Sequence, residues 1–155
     1  MRTDFSKMKY KKPDMVNVFI VNENKHALII NNIKHGTSRW EFPGGKVEKG
    51  ISLKGFGLEA IAIKEAEEEL GIDIGFTKPP NSHIFGDYET QTPEGDFLCR
   101  TYFAKIIKGE PRIMEPKIHG GFEYASYSKL LRLNDAGILV PNLVLALPKL
   151  REYVM

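Results

Sequence analysis

Apolar and polar positions begin to alternate just after Pro13. "MVNVFIV" passes through a polar "NENK" turn into "HALIINNI", which predicts a hairpin. "SRWEF" predicts a further short strand, stopped by "PGG", and a glycine-containing loop, "KGISLKGFG", follows. From about Leu58 to Leu70 the period changes to that of a helix, and Gly71 stands where a helix commonly ends in a left-handed residue. "NSHIFGDYETQ" and "DFLCRTYFAKII" flank "TPEG" and predict a second, longer hairpin. The last third, "LVPNLVLALPKLREYV", predicts a helix kinked or broken near Pro148. Strands on both sides of a central helix, with another helix at the end, imply an α/β sandwich around a mixed sheet.

Length and composition narrow the class without naming a partner. The chain has 155 residues, 42% of them hydrophobic and 27% charged, with a net charge of +2, as expected of one globular domain. A basic arm is expected over residues 1–13, read as a solvated tail, with the domain proper over 14–155. A lone cysteine, Cys99, excludes an internal disulfide, and "GILVPNLVLALP" is too short and interrupted to span a bilayer. The expectation is a cytoplasmic protein with no membrane partner.

The unusual segment is "KEAEEELGI", residues 64–72, with four glutamates in five positions. On a helix Glu65, Glu68 and Glu69 share one face through i, i+3 and i+4 spacing, while Glu67 points elsewhere. Ala62, Ile63, Ala66 and Leu70 form a separate apolar stripe suited to the core. Two readings compete. A solvated acidic face is tolerable, since like-charge neighbours cost only about 0.2–0.5 kcal/mol per pair. Three carboxylates on one face are also hard oxygen ligands for a divalent cation, which would relieve their repulsion.

The upstream "WEFPGGKVEKG" favours the cation. Together, "GGKVEKG" and "KEAEEELGI" resemble the box of the Nudix hydrolase family, G-x5-E-x7-R-E-U-x-E-E-x-G-U, where U is a bulky apolar residue. Glu65, Glu68, Glu69, Gly71 and Ile72 fall on pattern positions, with Ala66 at the first apolar one and Gly45 at the start. "EPKIHGGFEYASYSKL" resembles a segment of the members that act on nucleoside triphosphates. Three departures stand out: the halves are five residues too far apart, with "SLKGFG" as the place for the extra loop; Ile51 replaces the first glutamate; and Lys64 replaces the arginine. Lysine is a point charge where arginine offers a planar fork. Glu48 or Glu59 would then stand in for the missing acid.

The resemblance implies a Nudix-type α/β/α sandwich and Mg2+-dependent water attack on a pyrophosphate bond, with Mn2+ as a substitute. It assigns the metal to Glu65, Glu68, Glu69 and the Gly44 carbonyl, one of these carboxylates serving instead as the base. Lys64 takes the family arginine's place. Gly45 and Lys46 meet substrate phosphates, the alternative for Lys46 being an exposed loop lysine. Glu115 is an extra base or ligand, or else a turn acid. Asn142 either hydrogen-bonds a base edge or caps a helix, and the cap is preferred. Tyr124 and Trp40 either stack on a base or pack beneath the sheet, and packing is preferred. His26, His35, His83 and His119 show no ligand spacing, and His119, nearest the site, is expected to face solvent. One face of the strand carrying Phe97, Leu98, Tyr102 and Phe103 is expected to line the pocket. The implied function is a nucleoside-triphosphate pyrophosphohydrolase, monomeric or homodimeric, without a stable nucleic-acid partner. The alternatives are a weakly catalytic nucleotide sensor, or a hydrolase of ADP-ribose, dinucleoside polyphosphates or RNA 5′ ends.

Overall fold

A computed structural model describes residues 12–48, 57–77 and 83–155. Its strands are β1 (Met15–Phe19), β2 (Ala27–Asn32), β3 (Arg39–Glu41), β4 (Gly44–Lys46), β5 (Asp73–Phe76), β6 (Ile84–Thr92), β7 (Gly95–Lys108) and β8 (His119–Ala125). The α-helices are α1 (Gly57–Leu70), α2 (Tyr127–Asp135) and α3 (Pro141–Leu150). Of the expected basic arm only Lys12 and Pro13 are among the described residues, and of the extra loop only Gly57.

The 14-residue β7 organises the larger sheet. Its first half pairs antiparallel with β6 and, on the other edge, parallel with β1 from Met15↔Cys99 to Phe19↔Phe103. Its second half pairs antiparallel with β5, and β4 adds antiparallel to β1. A smaller antiparallel sheet runs β3-β2-β8. Helices cover the strands on two sides, so the mixed α/β architecture follows the expectation.

Alternation along the strands sends side chains to two cores. Val16, Val18 and Ile20 join Leu28, Ile30 and the α1 residues Ala62, Ala66 and Leu70. Phe19, on the opposite face of β1, joins Phe42, Phe85 and Phe103 beneath Leu130 of α2 and Leu143, Leu147 and Leu150 of α3. Each such fully buried aliphatic or aromatic side chain contributes about 1.5–3 kcal/mol. Gly71 ends α1 at φ +66°, its N–H donating to the Glu67 carbonyl at 2.9 Å.

Several expectations need correction. The first hairpin pairs only beside its turn, through Asn22 N–H to the His26 carbonyl, Leu28 N–H to the Ile20 carbonyl and the Val21–Ala27 bridge, while β1 and β2 belong to different sheets. β3 stops before Pro43 as expected, but Gly44 and Gly45 open a further strand, β4. The pairing requires glycine there: a Cβ on Gly44 would lie 2.2 Å from the Val16 carbonyl oxygen. The last helix runs through Pro148 to Leu150. Its N-cap is Val140 with Pro141 in the first turn, so Asn142 lies inside the helix and is not the cap. Proline's fixed φ suits that first turn, and the cap lies two residues upstream of the expected Asn142. Both faces of β7 are covered: Tyr102 and Ala104 lie in the α1 core and Phe103 in the other. Phe97, Leu98, Tyr102 and Phe103 are not among the residues lining the acidic cleft beside α1.

Candidate active site

The strands β3, β4 and β8, the chain just before β8 and one face of α1 build the site. β1–β4 pairing brings the Gly44–Gly45 backbone against α1, and its N–H and bare Cα atoms then meet the glutamates. Gly44 N–H donates to Glu69 Oε1 at 2.8 Å. A Cβ on Gly45 would lie 2.3 Å from the Glu65 carboxyl carbon, so a larger residue there would displace that carboxylate. Glu69 is 5% exposed, and its other oxygen, Oε2, lies 3.1 Å from His119 Nε2. Glu68 stays exposed and pairs with Lys64 at 3.7 Å, one helical turn back.

Gly44, Gly45, Glu65, Glu68, Glu69 and His119 line a cleft of about 440 Å³ together with Lys34, Glu41, Lys46, Glu48 and Glu115. Its carboxylates outnumber its lysines, and the electrostatics show the imbalance. Burial pushes the Glu65 carboxyl up to about 7, helped by the charges of Glu69 and Glu68. Burial likewise pushes Glu41 up to about 7, against the hydrogen bond that Asn32 Nδ2 donates to it at 3.2 Å. Glu69 is raised too, chiefly by burial, with His119 and Gly44 working in the opposite direction. A protein interior tolerates crowded carboxylates poorly unless a cation or a proton joins them.

Among the described residues Glu41, Glu69 and His119 offer ligand atoms within 4.8 Å of one another. Oxygen-rich donors with one imidazole fit a divalent cation, hard ions being satisfied by the carboxylates alone. The expected set Glu65, Glu68 and Glu69 is thus gathered on one cleft wall, and Gly44, Gly45, Lys46, Glu48 and Glu115 join it. Glu67 is exposed and outside the cleft, as its helical position requires. Lys64 touches Glu68 but is not part of this cleft's lining.

Other candidates lie elsewhere. Tyr124 packs half-buried against the α1 core, and Trp40 packs against the core beneath α3. Asn142 donates from Nδ2 to Cys99 Sγ at 3.3 Å, behind β7. Glu59, at the start of α1, is outside the cleft lining, whereas Glu48 reaches it. His119 overturns the solvent-facing expectation, being 3% exposed.

Among the cleft residues not selected from the sequence are Glu41, Lys34 and, in its contacting role, His119. For Glu41 a signal exists. Strand alternation puts Trp40 and Phe42 on one face and sends the acid between them to the other, just before the Gly-Gly pair.

The family model of the NUDIX domain matches residues 11–142. The chain therefore belongs to the NUDIX family and is a Nudix hydrolase by membership. It is 28% identical over 103 residues to the 8-oxo-dGTP diphosphatase of Escherichia coli (strain K12), covering 65% of this chain and 72% of that one. Among solved structures, a NUDIX hydrolase from Nitrosomonas europaea superposes with a TM-score of 0.69 at 19% identity, covering 91% of this chain and 89% of that one. The MutT protein from Methanosarcina mazei Go1 superposes at 0.64 and 21% identity, covering 92% and 96%. At these identities the two structures establish the fold. Among the described residues no helix is long and apolar enough to cross a membrane.

Proposed function

We propose that the protein hydrolyses a pyrophosphate bond of a nucleoside triphosphate in a Mg2+-dependent reaction, Mn2+ substituting, with a nucleoside monophosphate and pyrophosphate as products. The observation that carries this reading is the under-neutralised acidic cleft beside the Gly44–Gly45 backbone of β4. Glu65, Glu68 and Glu69 hold the cation, with the Gly44 carbonyl as a further ligand. When bound, the ion supplies Lewis-acid charge neutralisation at phosphoryl oxygens and makes a coordinated water more acidic.

The chain's own residues do the positioning that such reactions depend on. Both oxygens of Glu69 are engaged by protein groups, which makes it a fixed ligand. Glu65 and Glu68 are freer, and one of them takes the proton of the attacking water as the new P–O bond forms and the bridging P–O bond breaks. Lys46 and Lys34, on the cleft wall, neutralise phosphate oxygens. Tyr124 stays a packing residue that supports β8. Cys99, free and buried, is in keeping with a reducing, cytoplasmic setting.

A panel of canonical and oxidised nucleoside triphosphates, ADP-ribose, dinucleoside polyphosphates and capped RNA, with Mg2+ present, tests the reading. The E. coli relative puts oxidised purine nucleotides first in that panel. Triphosphates are expected to release pyrophosphate fastest. Binding without turnover of any of them would instead support a sensor, for which the loose, exposed Lys64–Glu68 pair is the favouring observation.

A further inference from the structure

His119 should not face Glu69 at all if β8 were a regular strand. Phe122 and Tyr124 project to the α1 core, and Ala125 to the opposite one. Strict alternation would send residue 119, odd-numbered like Ala125, away from α1. The pairing with β2 explains the reversal. Asn31 opposes Gly121, but Asn32 opposes His119, so Gly120 is an extra residue without a partner in the ladder. A β-bulge of this kind re-aims the side chains beyond it. Here it turns the imidazole from one face of the sheet to the other, onto Glu69.

The bulge requires its glycine. A Cβ on Gly120 would lie 2.6 Å from Asn31 Oδ1 and 3.1 Å from Ile33 Cγ2. Asn31 cannot simply swing aside, because its Nδ2 donates to Ser38 Oγ at 3.0 Å. The chain before the bulge is held as well. Ile33 N–H donates to the Ile118 carbonyl at 2.9 Å and His119 N–H to the Glu115 carbonyl at 3.0 Å. Arg112 and Met114 N–H groups donate to the carbonyls of Leu70 and Glu69 at the end of α1. The imidazole is thus placed by backbone, not by a flexible side chain. Its Nε2 meets the carboxylate, while its Nδ1 is buried with no hydrogen-bond partner among the described residues.

We propose that His119 is a positioning residue: delivered by the Gly120 bulge, it clamps Glu69 Oε2 while Gly44 clamps Oε1, fixing the carboxylate as a cation ligand. This rests on the metal reading of the cleft. The clamp matters in this chain because Lys64 lacks the planar fork that the family pattern places there and engages Glu68 at the surface instead. Outer hydrogen-bond partners of ligands commonly alter metal affinity about 10–100-fold when removed.

The test measures Mn2+ binding to the full chain by electron paramagnetic resonance, without nucleotide, alongside melting temperature. His119→Gln keeps a donor, whereas His119→Met fills similar space without one. H119M is expected to weaken Mn2+ binding about 10–100-fold with little change in melting, and H119Q to restore most of the loss. Gly120→Ala, with His119 intact, is expected to weaken binding as H119M does. Wild-type affinity in H119M, or equal losses in H119Q and H119M, would overturn the clamp. Failure of the wild-type protein to bind Mn2+ would overturn the metal reading together with it.

Discussion

Gly44 separates two buried polar regions that the fold treats in opposite ways. On one side Asn17 Oδ1 accepts a 2.6 Å hydrogen bond from Thr101 Oγ1, the two residues directly opposed across β1 and β7. Both are neutral and fully enclosed. On the other side Glu69 is buried with Glu65 and Glu41 nearby, and all three bind protons more tightly than usual. The same glycine serves each region, since its missing Cβ admits Asn17 and its N–H holds Glu69. The neutral pair satisfies the Thr101 hydroxyl and Asn17 Oδ1 within the protein, Asn17 Nδ2 being left without a partner among the described residues. The acidic group stays open to a cleft and is costly until a cation arrives. The structural acceptor meets its donor inside the protein, whereas the cleft carboxylates are left to be matched from outside.

Replacing Glu69 by Gln sharpens that contrast most. Turnover should fall roughly 10²–10³-fold, the range typical for removing one preorganised charge-stabilising group. Melting of the metal-free variant should not fall, and should rise if burial of the charge is the dominant cost. Near-normal turnover would remove Glu69 from the metal set.

A smaller effect follows from pH. Glu41 and Glu65 have folded pKa values near 7 against an ordinary 4.5. Groups raised in this way favour the folded state below about pH 4.5, and that contribution is lost as pH climbs through about 7. Metal-free protein in chelator should therefore melt several degrees lower at pH 8 than at pH 5.5, as read by calorimetry. Saturating Mn2+ should recover most of the difference at pH 8, because only the ionised carboxylates bind it. A flat metal-free profile would mean that the acids are better solvated than their burial implies.

The acidic ridge was legible because helical spacing alone places Glu65, Glu68 and Glu69 together and sends Glu67 away. The extent of α1 and its glycine terminus were legible for the same local reason. The opposite wall was not. A single unpaired residue at Gly120 reverses which face His119 occupies, and alternation rules carry no mark of a bulge until the partner strand is known. β4 was hidden because glycine is the poorest strand former, although here two glycines are what allow the backbones to approach. Asn142 illustrates a third limit, since proline at the first helical position moved the cap onto Val140 and turned the amide toward Cys99.

The neutral pair supplies the smallest and most diagnostic effect. Thr101→Val removes one hydroxyl and strands Asn17 Oδ1 in a site where Asn17 Nδ2 already lacks a partner among the described residues. An unsatisfied buried acceptor costs about 1–3 kcal/mol, so denaturant unfolding should show a loss in that range. Adding Asn17→Leu removes the stranded group as well, and the double variant should regain most of the stability, because apolar replacement of both partners is close to neutral. Turnover should be unaffected in either variant, the reverse of the pattern for E69Q. Additive losses in the double variant would show that Asn17 and Thr101 do not act as one unit. A fall in turnover with stability restored would show that this interior pair reaches the chemistry, and the division between matched and open polarity on the two sides of Gly44 would no longer hold.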